Sequence, residues 1–214
     1  MAYRLYLFDF DYTLVNSEKG ILGCFHLTNE ALGYPDCDDD TMRRTIGLPM
    51  VQAVFRAVPG IPEEKIRPYL NQYRQFANQI MTANTFFFPE TLPALRILRK
   101  RGAKIGVISS KTHHRIQEKF DLDGAHDLLD FVVGSDDVTA AKPDPEGIRI
   151  ALRHFDVKPQ DVLYTGDSRV DAGAAENAGV AFAAVTTGVT SKEQFLAYPH
   201  QAILTSLAGI PYIA

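Results

Sequence analysis

Two aspartates separated by one residue, Asp9 and Asp11, follow the short apolar run Leu5–Phe8. At a strand end such a pair can divide labour: one carboxylate attacks as a nucleophile, and the other exchanges a proton with a departing alcohol and with water. Ser109 and Ser110 follow a second apolar run, Ile105–Ile108. A hydroxyl with backbone amides at a strand-to-helix junction suits a phosphate oxygen. Lys142 stands before Pro143 and Pro145, which stiffen its loop, and a fixed ammonium there can neutralise phosphoryl charge. Asp167 follows Val162–Tyr164 and Gly166, and Asp171 comes one helical turn later, so the two acids can face one point. Carboxylates, one ammonium and one hydroxyl together form an inventory for holding a cation and a phosphate, which is the chemistry of phosphoryl transfer.

Each piece has a plainer reading. Asp9 to Thr13 can be a polar turn. Ser109 can be a simple helix cap, and Lys142 a solvent-facing lysine. Asp167 can be an N-cap with Asp171 favourable in the first helical turn. Lys111, beside the serines, reads as a solvated lysine at a helix start. His113 and His114 lack zinc spacing and read as an exposed helix start.

The elements that must carry these residues follow from the apolar pattern. Strands are expected at about 4–8, 104–108, 131–134, 161–165 and 180–185, with a last edge strand at 201–204. Helices are expected at 90–101, closed by Gly102, and at 112–120, 145–154 and 168–178, the last ended by Gly179. Strands alternating with helices imply a parallel sheet covered on both faces, and in such sheets ligands sit outside the carboxyl ends of the strands.

Between Ser17 and about Thr82 the texture changes. Ser17 can cap a helix carrying Ile21, Leu22, Phe25 and Leu32, and further helices are expected at 39–45, 51–57 and 63–81, with no strand in the stretch. The expected architecture is therefore α/β: a Rossmann-like parallel-sheet core of residues 1–15 and 84–214, with an inserted all-α helical-bundle cap at 16–83. The linkers at 14–16 and 83–88 are hinge candidates.

The bulk properties fit a globular chain. Its 214 residues are 46% apolar with a net charge of −4, which argues against nucleic acid or an acidic membrane surface as partner. Cys24 and Cys37 have no metal-type spacing and read as free thiols of a reducing compartment. With no signal-peptide pattern and no run of membrane-spanning length, the expected location is cytoplasmic.

In this order, and at these elements, the residues resemble the haloacid dehalogenase superfamily over essentially the whole chain. The nearest subgroup looks like the phosphoglycolate phosphatases and related bacterial pyrophosphatases with a small helical (C1) cap. The resemblance implies Asp9 as nucleophile, Asp11 as general acid/base, and Ser109 with neighbouring Ser110 as the phosphate-binding pair. It implies Lys142 as the motif-three lysine and Mg2+ as cofactor. The metal would be bound through Asp9, the Asp11 carbonyl and Asp167, with Asp171 reaching it through water. Lys19, Arg43 and Arg44 are candidate substrate selectors in the insert, against the plainer reading of a solvated helix face. Many relatives have glycine where this chain has Tyr12, a position expected to be tolerant, and asparagine where it has Ser110.

The expected activity is hydrolysis of a small phosphomonoester, phosphoglycolate-like, through an aspartyl phosphate. The expected partner is a small anionic phosphorylated metabolite, and the expected assembly is a monomer or homodimer. Alternatives within the superfamily are an inorganic pyrophosphatase and a β-phosphoglucomutase-like phosphotransfer. Asp11 argues against phosphonoacetaldehyde hydrolases and dehalogenases, which lack an acid there. A phospho-accepting signalling module is the alternative from a different class, and the helical insert and Asp-x-Asp order speak against it.

Overall fold

A computed structural model describes residues 3–213. In chain order the elements are β1 (Leu5–Phe8), β2 (Val15–Asn16), α1 (Glu18–Leu32), α2 (Asp39–Arg43), α3 (Met50–Ala57), α4 (Glu63–Ile80) and β3 (Phe86–Phe87). Then come α5 (Thr91–Lys100), β4 (Lys104–Ile108), α6 (His113–Leu122), β5 (Phe131–Val133), α7 (Glu146–Phe155) and β6 (Val162–Gly166). The chain ends with α8 (Arg169–Ala178), β7 (Ala181–Val185), α9 (Lys192–Phe195) and β8 (Ala202–Leu204). Two compact units result: Met1–Val15 with Phe87–Ala214, and Asn16–Phe86.

The first unit is built on a six-stranded sheet of order β5-β4-β1-β6-β7-β8. Every neighbouring pair is parallel. This is the Rossmann-like α/β fold the strand–helix alternation implies. Alternation along β1 explains why the sheet is covered on both sides. Tyr6 and Phe8 enter one apolar cluster with residues of α5 and α6, whereas Leu5 and Leu7 enter another with residues of α7 and α8. Full burial of a side chain such as Leu5 or Phe8 is worth about 1.5–3 kcal/mol.

In β1, Phe8 lies opposite Val107 of β4 on one side and Thr165 of β6 on the other. From β1 the chain moves first outward through β4 and β5, then returns to add β6, β7 and β8 on the opposite side. The order reverses at β1, and a crevice opens where neighbouring connections diverge. The three central strands all end there.

The second unit is helical. Its core gathers Phe25 from α1, Met42 from α2, Val54 from α3 and Tyr69 and Tyr73 from α4. Tyr69 donates to Asn29 at 2.7 Å, so its buried hydroxyl is satisfied. Ser17 departs from expectation. It flanks α1 but makes no side-chain cap bond, and the neighbouring Asn16 side chain instead accepts from the Glu18 amide at 3.0 Å. As expected, no strand lies between residues 17 and 82; just outside that stretch β2 and β3 pair as a two-stranded ribbon. Each has only two residues, too short to show a period. No described helix is long and apolar enough to cross a membrane.

Candidate active site

The three central strands deliver the site. Asp9 is the first residue beyond β1, Ser109 the first beyond β4, and Asp167 the first beyond β6. Asp9 is fixed by its amide, which donates to Thr165 O at 2.8 Å, and Ser109 by its amide, which donates to Val133 O at 3.0 Å. Asp9, Asp11, Ser109, Asp167 and Asp171 are all buried.

The Lys142 side chain is only 8% exposed, which overturns the solvent-facing reading. Its Nζ lies 2.9 Å from Asp9 Oδ1 and 2.5 Å from Asp171 Oδ1, and donates to the Tyr164 hydroxyl at 3.2 Å. Burial disfavours its charge, but the two carboxylates outweigh that and raise its pKa above the ordinary lysine value.

Asp171 is wholly buried and fully engaged. Oδ1 takes Lys142 and, at 2.9 Å, the Tyr164 hydroxyl; Oδ2 takes the Ser168 amide at 3.1 Å and the Ser168 hydroxyl. Ser168 and Asp171 form the capping box that starts α8. Gly166 makes room for this approach. A Cβ there would lie 2.5 Å from Asp171 Cγ.

Asp167 Oδ1 accepts from Thr13 Oγ1 at 3.1 Å. Its other oxygen faces Gly188, where a Cβ would lie 2.8 Å from Asp167 Cγ and closer still to Oδ2. Thr13 and Gly188 are therefore site residues that sequence reading did not identify. Thr13 sits inside the first acidic motif as a candidate turn residue. Gly188 lies in a Thr-Thr-Gly-Val-Thr loop that reads as an ordinary turn. The signal available for Gly188 was its place just past a buried strand, β7.

Lys111 is a further correction. Its side chain is 9% exposed, and Nζ donates to both oxygens of Asp11, at 2.7 and 3.0 Å. The ammonium lies 5.8 Å from the centroid of the buried Phe10 ring. Tyr12, beside these groups, has φ of 59°. This left-handed conformation explains why glycine suits the position, a reason separate from the lack of side-chain chemistry there. His113 starts α6 as expected, with Nδ1 2.7 Å from Asp137 Oδ2.

The electrostatics are those of a site short of positive charge. Burial, followed by repulsion from Asp171 and Asp11 and opposed by Lys142, pushes Asp9 up to about 6. Burial and repulsion from Asp171 and Asp9 push Asp167 well above the carboxylate range. Oxygens of Asp9, Asp167 and Asp171 lie within 4.8 Å of one another. Asp9 Oδ1 is buried with no aligned hydrogen-bond donor among the described residues, although Lys142 is close enough to attract it. An all-oxygen donor set with surplus negative charge and an unsatisfied carboxylate oxygen fits a hard divalent cation.

Lys19, Arg43 and Arg44 belong to the helical unit. Lys19 and Arg44 are exposed, and Arg43 is held within its own unit by Glu18 at 2.9 Å and by Asp40.

Comparison with known proteins identifies the family. Residues 6–185 match the haloacid dehalogenase-like hydrolase family. The pyrophosphatase PpaX of Bacillus cereus strain Q1 is 28% identical over 212 residues, spanning 98% of this chain and 95% of the relative. A crystal structure from Bacteroides fragilis, assigned to the haloacid dehalogenase-like hydrolases, superposes with a TM-score of 0.92 at 42% identity, covering 97% of this chain and 99% of the other. A Haemophilus somnus protein, a phosphoglycolate phosphatase by prediction, shares the fold with a TM-score of 0.92 at 22% identity, covering 100% and 98%. The chain belongs to the haloacid dehalogenase-like hydrolases.

Proposed function

We propose that the protein is a magnesium-dependent phosphatase acting on a small phosphomonoester of the phosphoglycolate kind through an aspartyl phosphate. One observation carries the reading. Asp9 Oδ1 is buried at the end of the central strand, 2.9 Å from the Lys142 ammonium and without an aligned donor, so a nucleophilic lone pair is held in place.

In the first step Asp9 attacks phosphorus, the bond to the leaving oxygen breaks, and Asp11 gives that oxygen a proton. In the second step Asp11 takes a proton from water. The water oxygen bonds to phosphorus, the acyl–phosphate P–O bond breaks, and Asp9 is regenerated with release of phosphate. Lys142 orients Asp9 and balances phosphoryl charge, and Ser109 with nearby amides receives the transferring oxygens. Asp9 and Asp167, with the Asp11 carbonyl, would hold Mg2+, which when bound supplies charge neutralisation at the phosphoryl oxygens. Asp171 acts through Lys142 and Ser168, since both of its oxygens are engaged.

Selection of the leaving group is assigned to the helical unit as a cap, with exposed Lys19 and Arg44 as its candidate cations. Relatives named pyrophosphatase and phosphoglycolate phosphatase point to two leaving groups of one chemistry, each small and anionic. The reading is tested by Asp9→Asn, purified free of wild type. We expect loss of phosphate release with an unchanged circular dichroism spectrum; near-normal turnover would sink the proposal.

A further inference from the structure

The mechanism proposed above uses Lys142 but assigns nothing to the second buried ammonium of the sheet unit's site, Lys111. Its placement is specific. Nζ meets both oxygens of Asp11 and lies over Phe10, while the residue's backbone is tied at both ends: its amide donates to Ser109 Oγ at 3.3 Å and its carbonyl accepts from the Ser135 amide at 2.9 Å. This is an anchored cation in the short loop between β4 and α6, unlike a flexible surface lysine.

If Asp11 delivers the proton to the leaving oxygen, whatever is attached to that oxygen lies on the Asp11 side of the site. An ammonium has three donor directions and can hold Asp11 and a second anion at once. Lys142 is already held between Asp9 and Asp171, so within the sheet unit's site Lys111 is the cation placed for the leaving group.

We propose that Lys111 binds a second anionic group, a carboxylate or phosphate carried one or two bonds beyond the leaving oxygen, and so selects substrates that are anionic at both ends. The proposal rests on the phosphatase reading and deepens it by naming the substrate class.

The experiment compares kcat/KM for phosphoglycolate, its neutral amide 2-phosphoglycolamide, and pyrophosphate, using wild type, Lys111→Met and Lys111→Arg at fixed magnesium. A hydrogen bond to a charged group supports a wild-type preference for phosphoglycolate over the amide of about ten- to a hundredfold. Lys111→Met should collapse that ratio towards one, and Lys111→Arg should keep most of it. A larger loss on phosphoglycolate than on pyrophosphate assigns the carboxylate as the natural second anion, and the reverse assigns the phosphate. A wild type that hydrolyses acid and amide equally overturns the proposal without needing any variant. A Lys111→Met enzyme that loses activity on both in the same proportion also overturns it, because Lys111 would then only position Asp11. In both cases the phosphatase reading stands. Failure of wild type to release phosphate from all three overturns both.

Discussion

Replacing Gly188 with alanine tests whether the position of Asp167 matters, at a residue that itself has no functional group. The added Cβ would lie 2.8 Å from Asp167 Cγ and nearer to Oδ2, which must retreat by more than an ångström to reach a tolerable contact. Neither side yields easily. Asp167 is 5% exposed and pinned through Oδ1 to Thr13. The loop is pinned too, by the Thr186 amide on Leu204 O at 2.9 Å and by the Thr187 hydroxyl on the Tyr12 carbonyl. A displacement of this size at a positioned catalytic group costs on the order of 100-fold in rate. Overpacking should lower stability by about 1–3 kcal/mol, leaving the protein folded. Phosphate release measured across a magnesium titration should show a lower kcat and a higher magnesium requirement, and circular dichroism should confirm the fold. A Gly188→Ala enzyme with wild-type kcat at every magnesium concentration would refute the placement of Asp167 as a ligand.

Lys142→Met should destabilise the protein by about 3–5 kcal/mol, because Asp9 and Asp171 are left buried without their shared cation. Urea unfolding checks this, and a loss below about 1 kcal/mol contradicts a buried pair of this kind. Asp9 predicts a pH effect. Burial raises its pKa to about 6, so between the ordinary carboxylate range and that value the native state holds a proton the unfolded chain lacks. This contribution to stability falls as pH rises through the window, and a bound cation should restore it. The rise in Tm on adding magnesium should therefore be larger near pH 7.5 than near pH 4.5, roughly either side of the raised pKa, and a pH-independent rise would count against the assignment. His26 runs the other way. Burial lowers its pKa, but hydrogen bonds to Asp36 at 2.7 Å and Asp39 at 2.8 Å prevail and raise it. Its contribution is complete below the unfolded-state value and is lost as pH rises through the folded one. Hydrogen exchange in α1 and α2 should quicken at alkaline pH beyond the intrinsic rate, and His26→Gln should remove that pH dependence.

Much of the sheet unit was legible because its information is local. Short apolar runs gave the strands, glycines closed α5 and α8, and the acids stood just past strand ends where an open parallel sheet gathers ligands. What escaped depends on contacts across long sequence separations. Lys111 looks like any lysine at a helix start until folding brings it to Asp11, a hundred residues earlier. Gly188 looks like a turn glycine until Asp167 is seen against it. Tyr12 gives no sign that its backbone is left-handed, since a tyrosine is an uncommon occupant of that region. The capping of α1 by Asn16 rather than Ser17 turned on a one-residue choice between two good cap formers.

The outermost strands bear on how copies of this chain can assemble. β5 and β8 flank the sheet and are only three residues long each. A neighbour trying to continue the sheet would find too few free backbone donors and acceptors for a lasting ladder. The fold thereby disfavours strand-to-strand aggregation at both sheet edges.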